Sequence, residues 1–114
     1  MRLRFAFLFF AAVALLAGCD KDSVTAAEIE AIGPGSKVIY RFFEDGKRWY
    51  YLDKVTRIEG DTVYYLPSVH KSSSSSDGRL YDLNTSRELS MTRAELMKFQ
   101  TSQEPNNKKI VRIE

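Results

Sequence analysis

Residues 37–52 of this chain read KVIYRFFEDGKRWYYL. Apolar and aromatic side chains alternate with others on both sides of Asp45-Gly46, a pattern typical of strands. Asp-Gly between two such runs is a strong hairpin signal, because both central residues of a type I′ turn need a positive φ. The stretch therefore predicts a β-hairpin at the centre of the fold.

The strand pattern continues on the C-terminal side of this hairpin. Strands are predicted over residues 37–43, 48–58 and 62–66, with a turn at Glu59-Gly60-Asp61 and a stop at Pro67. The second strand is the longest, which predicts that it bends and contributes to two sheets. Three antiparallel strands in succession form a meander.

The rest of the chain predicts a smaller set of elements. Short strands over 79–83 and 87–91 would form a hairpin, and a capping box at Thr92 and Glu95 would begin a helix over 94–100. A closing strand follows over 108–114, and the serine run 72–76 predicts a mobile loop over 68–78. The expected fold is mainly β: a small, partly open antiparallel barrel with one short helix near the C-terminus.

The chain before this barrel has the composition of a leader. Arg2 and Arg4 precede an apolar run over residues 5–16, which is shorter than the ~20 residues of a membrane-spanning helix and typical of a signal peptide. We therefore divide the chain into a cleaved signal helix (1–18), a flexible tether (19–35) and a folded domain (36–114). Within the tether, Thr25 and Glu28 could form a capping box that opens a short helix.

The leader ends in Leu16-Ala17-Gly18-Cys19, which resembles the lipobox of bacterial lipoproteins at all four positions. The resemblance implies diacylglyceryl transfer to the Cys19 sulfur, cleavage before Cys19 and acylation, for example by palmitate, of the freed amine. Two or three acyl chains hold a protein on a membrane where one binds only marginally. The implied place is the periplasm-facing side of the cell envelope, and Asp20 favours the inner membrane. The alternative is an ordinary secreted protein.

Charge and cysteine count exclude several classes of function. The leader carries two of the 17 Lys and Arg residues and none of the 15 Asp and Glu residues, so the remainder is formally neutral. It therefore lacks the one-sided positive charge that nucleic-acid binding needs. A single cysteine cannot form an intrachain disulfide. One histidine and scattered carboxylates offer no metal-ligand spacing, and we expect no metal and no cofactor.

No residue pattern predicts catalysis. A triad could be drawn from His70, the neighbouring serines and Asp77, but nucleophilic catalysis needs a rigidly oriented base, and a serine-rich loop is a poor scaffold for one. The acidic pairs Glu44-Asp45 and Glu59/Asp61 are better explained as turn residues. We therefore expect that this protein is not an enzyme.

Residues 35–65 also resemble SH3-like and Tudor-like barrels in the spacing of their motifs. The motifs are Gly35 with Val38, Asp45-Gly46, Trp49-Tyr50, Val55 with Ile58, Gly60-Asp61 and Val63. In envelope proteins such domains bind peptides or cell-wall material, which the resemblance implies for this chain. The alternative is an unrelated antiparallel barrel or sandwich with an appended helix.

Aromatic residues occupy both faces of the predicted meander, and both faces cannot be the core of so small a domain. An exposed aromatic patch marks a binding surface. We take the candidate binding surface to be Tyr40, Phe42, Trp49, Tyr51 and Tyr65. The alternative is that the 94–100 helix and the serine loop cover the second face and leave no patch.

The combined expectation is a membrane-anchored envelope lipoprotein. It would be a non-catalytic binding or assembly module for an envelope protein, a peptide or a cell-wall component such as peptidoglycan. The alternative is a small β-barrel inhibitor of a cell-wall hydrolase, which would use the loop over 69–78.

Overall fold

A computed structural model of the chain describes residues 23–114. These residues form five strands and two short helices, with a 3₁₀ turn over Gly78–Tyr81: α1 (Ala26–Glu30), β1 (Lys37–Glu44), β2 (Lys47–Glu59), β3 (Thr62–Pro67), β4 (Leu89–Thr92), α2 (Arg93–Lys98) and β5 (Lys109–Ile113). The strands form one antiparallel sheet in the order β4-β3-β2-β1-β5. The predicted fold class, a mainly β, partly open antiparallel sheet with a short helix near the C-terminus, is confirmed.

The central hairpin forms as the sequence predicts. Asp45 and Gly46 have φ angles of 52° and 73°, and Glu44 pairs with Lys47 across the turn. Positive φ at both central positions is the requirement of a type I′ turn, whose twist matches that of the flanking strands. The turn therefore sets the register of β1 against β2.

Strand β2 has different partners along its length. Residues 47–54 pair with β1 and residues 53–59 pair with β3, with a register shift between Val55 and Arg57. Both partners belong to one sheet, so the prediction of two sheets is wrong. Beyond β3, the chain continues beside the first half of β2, where Ser72 exchanges backbone hydrogen bonds of 2.7 and 2.9 Å with Tyr50.

The sheet buries apolar side chains on both faces. One cluster, the helix-side core, contains Val24, Ile29, Ile32, Val38, Tyr40, Val55, Val63, Leu96 and Ile110. The other cluster, on the opposite face, contains Ile39, Tyr50, Leu52, Leu80 and Val111. Both helices contribute to the first cluster, and the 3₁₀ turn contributes Leu80 to the second.

The folded unit begins earlier than predicted. Val24, Ile29 and Ile32 are 5%, 1% and 2% exposed and belong to the helix-side core. The Thr25 capping box forms and begins α1, and a flexible tether would not bury three aliphatic side chains. The predicted boundary at residue 36 is therefore too late, and residues 24–35 belong to the domain.

Residues 68–88 differ most from the predictions. The expected strand over 79–83 is the 3₁₀ turn, capped by the Asp77 side chain, which accepts a hydrogen bond from the Arg79 amide. The expected hairpin of 79–83 with 87–91 is therefore absent from the described chain, although β4 overlaps its second strand. Ser72 is buried, and the Arg112 guanidinium donates to the Ser75 carbonyl oxygen. These contacts hold the serine loop on the sheet and contradict its prediction as mobile.

The predicted helix and closing strand near the C-terminus both form. The Thr92 hydroxyl accepts from the Glu95 amide at 3.1 Å, and the Glu95 carboxylate accepts in return from the Thr92 amide. This capping box begins α2 over Arg93–Lys98, one residue before the predicted start. Strand β5 pairs with β1, so β5 completes the sheet at the edge beside β1.

Candidate functional site

The five residues of the predicted binding surface share one face of the sheet. Tyr40 pairs directly with Tyr51, and Phe42 with Trp49. Directly opposed residues of antiparallel strands point to the same side, and Tyr65 joins them because it pairs with Val55, four positions after Tyr51. The sequence therefore placed these five aromatic side chains together correctly.

Burial separates these five residues into two groups. Tyr40 is only 1% exposed and lies in the helix-side core, so its inclusion in a binding surface is wrong. The other four are half-buried: Phe42, Trp49, Tyr51 and Tyr65. Tyr40 is buried because both helices pack on this face of the sheet and β5 lies beside β1, which the sequence pattern of β1 alone does not reveal.

Ring contacts connect the buried and half-buried residues. The Tyr40 and Tyr51 rings stack with centroids 4.9 Å apart, and Phe42 meets Tyr51 edge-on at 5.5 Å. Phe99, which follows α2, meets Tyr40 edge-on at 5.6 Å. Such pairs contribute ~0.5–1.5 kcal/mol each beyond the area that they bury. We refer to Tyr40, Phe42, Tyr51 and Phe99 as the aromatic cluster.

Lys108 places its ammonium group on the aromatic cluster. Its Nζ atom lies 4.5, 4.9 and 4.6 Å from the ring centroids of Tyr40, Tyr51 and Phe99. All three distances are within the ~6 Å over which a cation is attracted to a ring face. Lys108 comes directly before β5, far from β1 and β2 in sequence, and no sequence signal pointed to it.

A buried carboxyl group lies on the same face of β2. Asp53 is 3% exposed, and its Oδ1 atom has no hydrogen-bond partner in the part of the chain that the structure describes. Burial raises the pKa of Asp53 to about 7, and the Lys108 charge opposes the rise. Burial likewise lowers the pKa of Lys108, against the attraction of Asp53. Asp53 is therefore a carboxyl group that changes its charge near neutral pH.

The stability of the domain should depend on pH through Asp53. Because the folded state holds this proton more tightly than the unfolded chain, stability should fall as pH rises from about 4 to about 7. The fall has an upper limit of about 4 kcal/mol, from 1.36 kcal/mol per pKa unit. Asp53→Asn should remove this slope in urea unfolding measured at pH 5 and pH 8.

Glu104→Gln is the matched control, because Glu104 is exposed. This variant should keep the pH dependence of the unmodified chain. An unchanged slope in Asp53→Asn would contradict the assignment of the slope to Asp53.

Trp49 lies at the edge of the candidate surface, next to the serine loop. The Lys71 Nζ atom is 4.6 Å from the Trp49 ring centroid and 2.7 Å from Glu44 Oε1. One side of the indole therefore carries an ammonium group, and Trp49 stays half-buried. Of the five predicted residues, Trp49 and Tyr65 take no part in the ring pairs of the aromatic cluster.

The residues considered for catalysis do not come together. His70 Nε2 is 3.3 Å from Asp82 Oδ2. Asp77 instead accepts a hydrogen bond of 2.7 Å from Ser72 and forms an ion pair with Arg79. The Arg79 side chain holds the pKa of Asp77 well below its usual range. His70, a loop serine and Asp77 therefore do not form the catalytic triad that the sequence analysis considered.

The acidic turn residues pair with neighbouring cations, Glu44 with Lys71 and Glu59 with Arg57. Within residues 23–114, no three His, Cys, Asp or Glu side chains are grouped as metal ligands. In the same part of the chain, no helix has the length and apolar character to cross a membrane. The lipobox residues Leu16, Ala17, Gly18 and Cys19 lie outside the described residues.

Comparison with known proteins adds no family to this description. No protein family, curated protein or solved structure matches the chain.

Proposed function

We propose that this chain is a bacterial envelope lipoprotein whose small β-barrel-like domain is a non-catalytic binding or assembly module. The lipobox Leu16-Ala17-Gly18-Cys19 supports the anchor and the periplasm-facing location. An SH3-like character of the domain is part of the proposal and is supported by the motif spacing of residues 35–65. The partner would be an envelope protein, a peptide or a cell-wall component.

The observation that carries the binding role is the half-buried aromatic surface of β1, β2 and β3. Phe42, Trp49, Tyr51 and Tyr65 lie on one face, and Lys108 and Lys71 place ammonium groups on its rings. Aromatic side chains held rigidly at a surface dominate binding energies, since little conformational entropy is lost when a partner covers them. Buried Tyr40 supplies that rigidity, because its ring stacks on the ring of half-buried Tyr51.

Trp49→Ala tests this role better than a change at Tyr51. Tyr51 stacks on buried Tyr40, so its removal would also reduce stability. Loss of a hot-spot aromatic side chain costs about 2 kcal/mol or more of binding free energy, so Trp49→Ala should weaken retention roughly 30-fold. Retention of the lipidated chain would be measured in detergent, on isolated sacculi and on immobilised envelope proteins, so that the acyl chains have no bilayer to enter.

Phe43→Ala is the matched control. Phe43 neighbours Phe42 on β1 but points to the opposite face of the sheet, where it is 38% exposed. This variant removes a similar aromatic area and should keep full retention, and both variants should melt near the temperature of the unmodified chain. Equal retention of Trp49→Ala and the unmodified chain would contradict a binding role for this surface.

A further inference from the structure

The two helices leave an open groove between them at the N-terminal side of the domain. Its volume is about 300 Å³. The lining residues are Ile29, Glu30, Arg93, Ala94, Leu96 and Met97. Ile29 and Leu96 form the buried floor, while Ala94 is exposed beside it. The groove is therefore mostly apolar, with one acidic and one basic side chain.

Arg93 fixes the shape of this groove. Its guanidinium donates to the carbonyl oxygens of Glu30 and Ile32, at 3.2 and 3.0 Å. These carbonyl groups lie at the end of α1, where backbone acceptors lack partners within the helix. Arg93 thus ties α2 to α1, and the groove is a fixed feature of the fold.

The chain enters the fold at the start of α1, the helix whose second half lines this groove. Val24 is buried in the helix-side core, and its carbonyl oxygen accepts a hydrogen bond of 3.4 Å from Gln100. Only residues 20–23 separate the lipobox cysteine from Val24, so the two are five positions apart. Five residues span at most about 18 Å when fully extended, so an acylated Cys19 would hold this end of the domain close to the headgroups.

We propose that the α1–α2 groove is a membrane-docking surface, which lies against the lipid bilayer that holds the Cys19 acyl chains. This inference rests on the lipid anchor of the proposed function. The short connection presents the groove to the bilayer at high effective concentration, so a modest apolar area suffices for contact. Because Glu30 and Arg93 offset each other at the groove, the contact should depend little on anionic lipid.

Docking at this groove would orient the candidate binding surface. Asp61, in the turn after β2, accepts a backbone hydrogen bond from Arg93, so the C-terminal end of β2 lies beside α2. Lys47, at the other end of β2, is on the far side of the domain. Phe42 and Trp49 lie near that end, on the sheet face that the two helices cover. Docking would therefore hold them at a distance from the groove, near a partner within ~30 Å of the bilayer, the diameter of a domain of this size.

Site-specific fluorescence in vesicles tests this arrangement. The lipidated chain would carry Ala94→Cys or, as the control, Lys47→Cys, both exposed positions. Cys19 is the only native cysteine, and its sulfur is blocked by the lipid, so a thiol-reactive fluorophore marks one site. The vesicles would contain phosphatidylethanolamine and phosphatidylglycerol, with nitroxide-bearing lipid as the quencher.

We expect loss of most of the fluorescence at Ala94 and little loss at Lys47. Adding Met97→Asp to the Ala94→Cys chain should reduce quenching, because a charge in the groove would have to be buried against the bilayer. Its thermal unfolding would be checked in parallel. Similar quenching at both sites on vesicle-bound protein, or no effect of folded Met97→Asp, would overturn the docking and leave the anchor intact. Failure of the chain to float with vesicles would overturn the anchor and the docking together.

Discussion

A chain shortened to begin at Ser36 should fail to fold, whereas a chain that begins at Ser23 should fold like the full-length protein. The shorter chain lacks Val24, Ile29 and Ile32, which are buried in the helix-side core. Each such side chain contributes about 1.5–3 kcal/mol when buried, or about 5–9 kcal/mol for the three. Whole domains are stable by only about 5–15 kcal/mol, so this loss is comparable with the total.

Circular dichroism and urea unfolding of the two shortened chains would measure this difference. Single substitutions test the same burial. Ile29→Ala should lower the free energy of unfolding by about 2–5 kcal/mol, whereas Glu30→Ala, at the next and exposed position, should change it little. A cooperative unfolding transition for the chain that begins at Ser36, with the stability of the longer one, would show that residues 24–35 are a tether after all.

Cys19→Ser should abolish lipid attachment. A serine hydroxyl cannot replace the thiol that the lipobox resemblance requires for diacylglyceryl transfer, so the variant should incorporate no labelled palmitate. It should also leave the membrane fraction or accumulate with its leader uncleaved. The effect should be complete, because no second cysteine exists in the chain to take the lipid.

Lys21→Ser is the control for this change, since it alters a residue beyond the cysteine and leaves all four lipobox positions intact. Palmitate labelling and fractionation should be unchanged in this variant. Unchanged processing and membrane fractionation of Cys19→Ser would reject the anchor, and with it the proposed docking of the α1–α2 groove.

The parts of the fold that the sequence predicts correctly are encoded locally. Asp45-Gly46 specifies its own turn through two positive φ angles, and each capping box joins a Thr to a Glu three residues later. Such signals need no information from distant residues. The hairpin, the starts of both helices and the strands of the meander could therefore be predicted to within one or two residues.

The wrong predictions concern contacts between distant parts of the chain. Residues 24–35 look like a polar tether because their buried aliphatic side chains are only three, one within the short helix α1 and one on each side of it. Leu80 favours a strand locally, but its place in the core on the second face and the Asp77 cap select a 3₁₀ turn. Tertiary packing overrode local preference in both cases.

The candidate site divides in the same way. Period-two alternation correctly gathered Phe42, Trp49, Tyr51 and Tyr65 on one face. It could not distinguish buried Tyr40 from its half-buried neighbours, because the covering elements come from both ends of the chain. The sequence did not predict Lys108 as part of the site for the same reason, because its position on the rings depends on the pairing of β5 with β1.

That pairing also has a consequence for the order in which the domain folds. β1 lies between β2, its immediate successor in the chain, and β5, the last strand. The β1–β2 hairpin closes a two-residue turn, whereas joining Val38 to Ile113 closes a loop of most of the described chain, and such distant contacts are slow to form. The nascent polypeptide therefore cannot finish this sheet until residues 109–113 have left the ribosome. For a chain exported through its leader, as we propose, no completed domain would stand in the way of translocation.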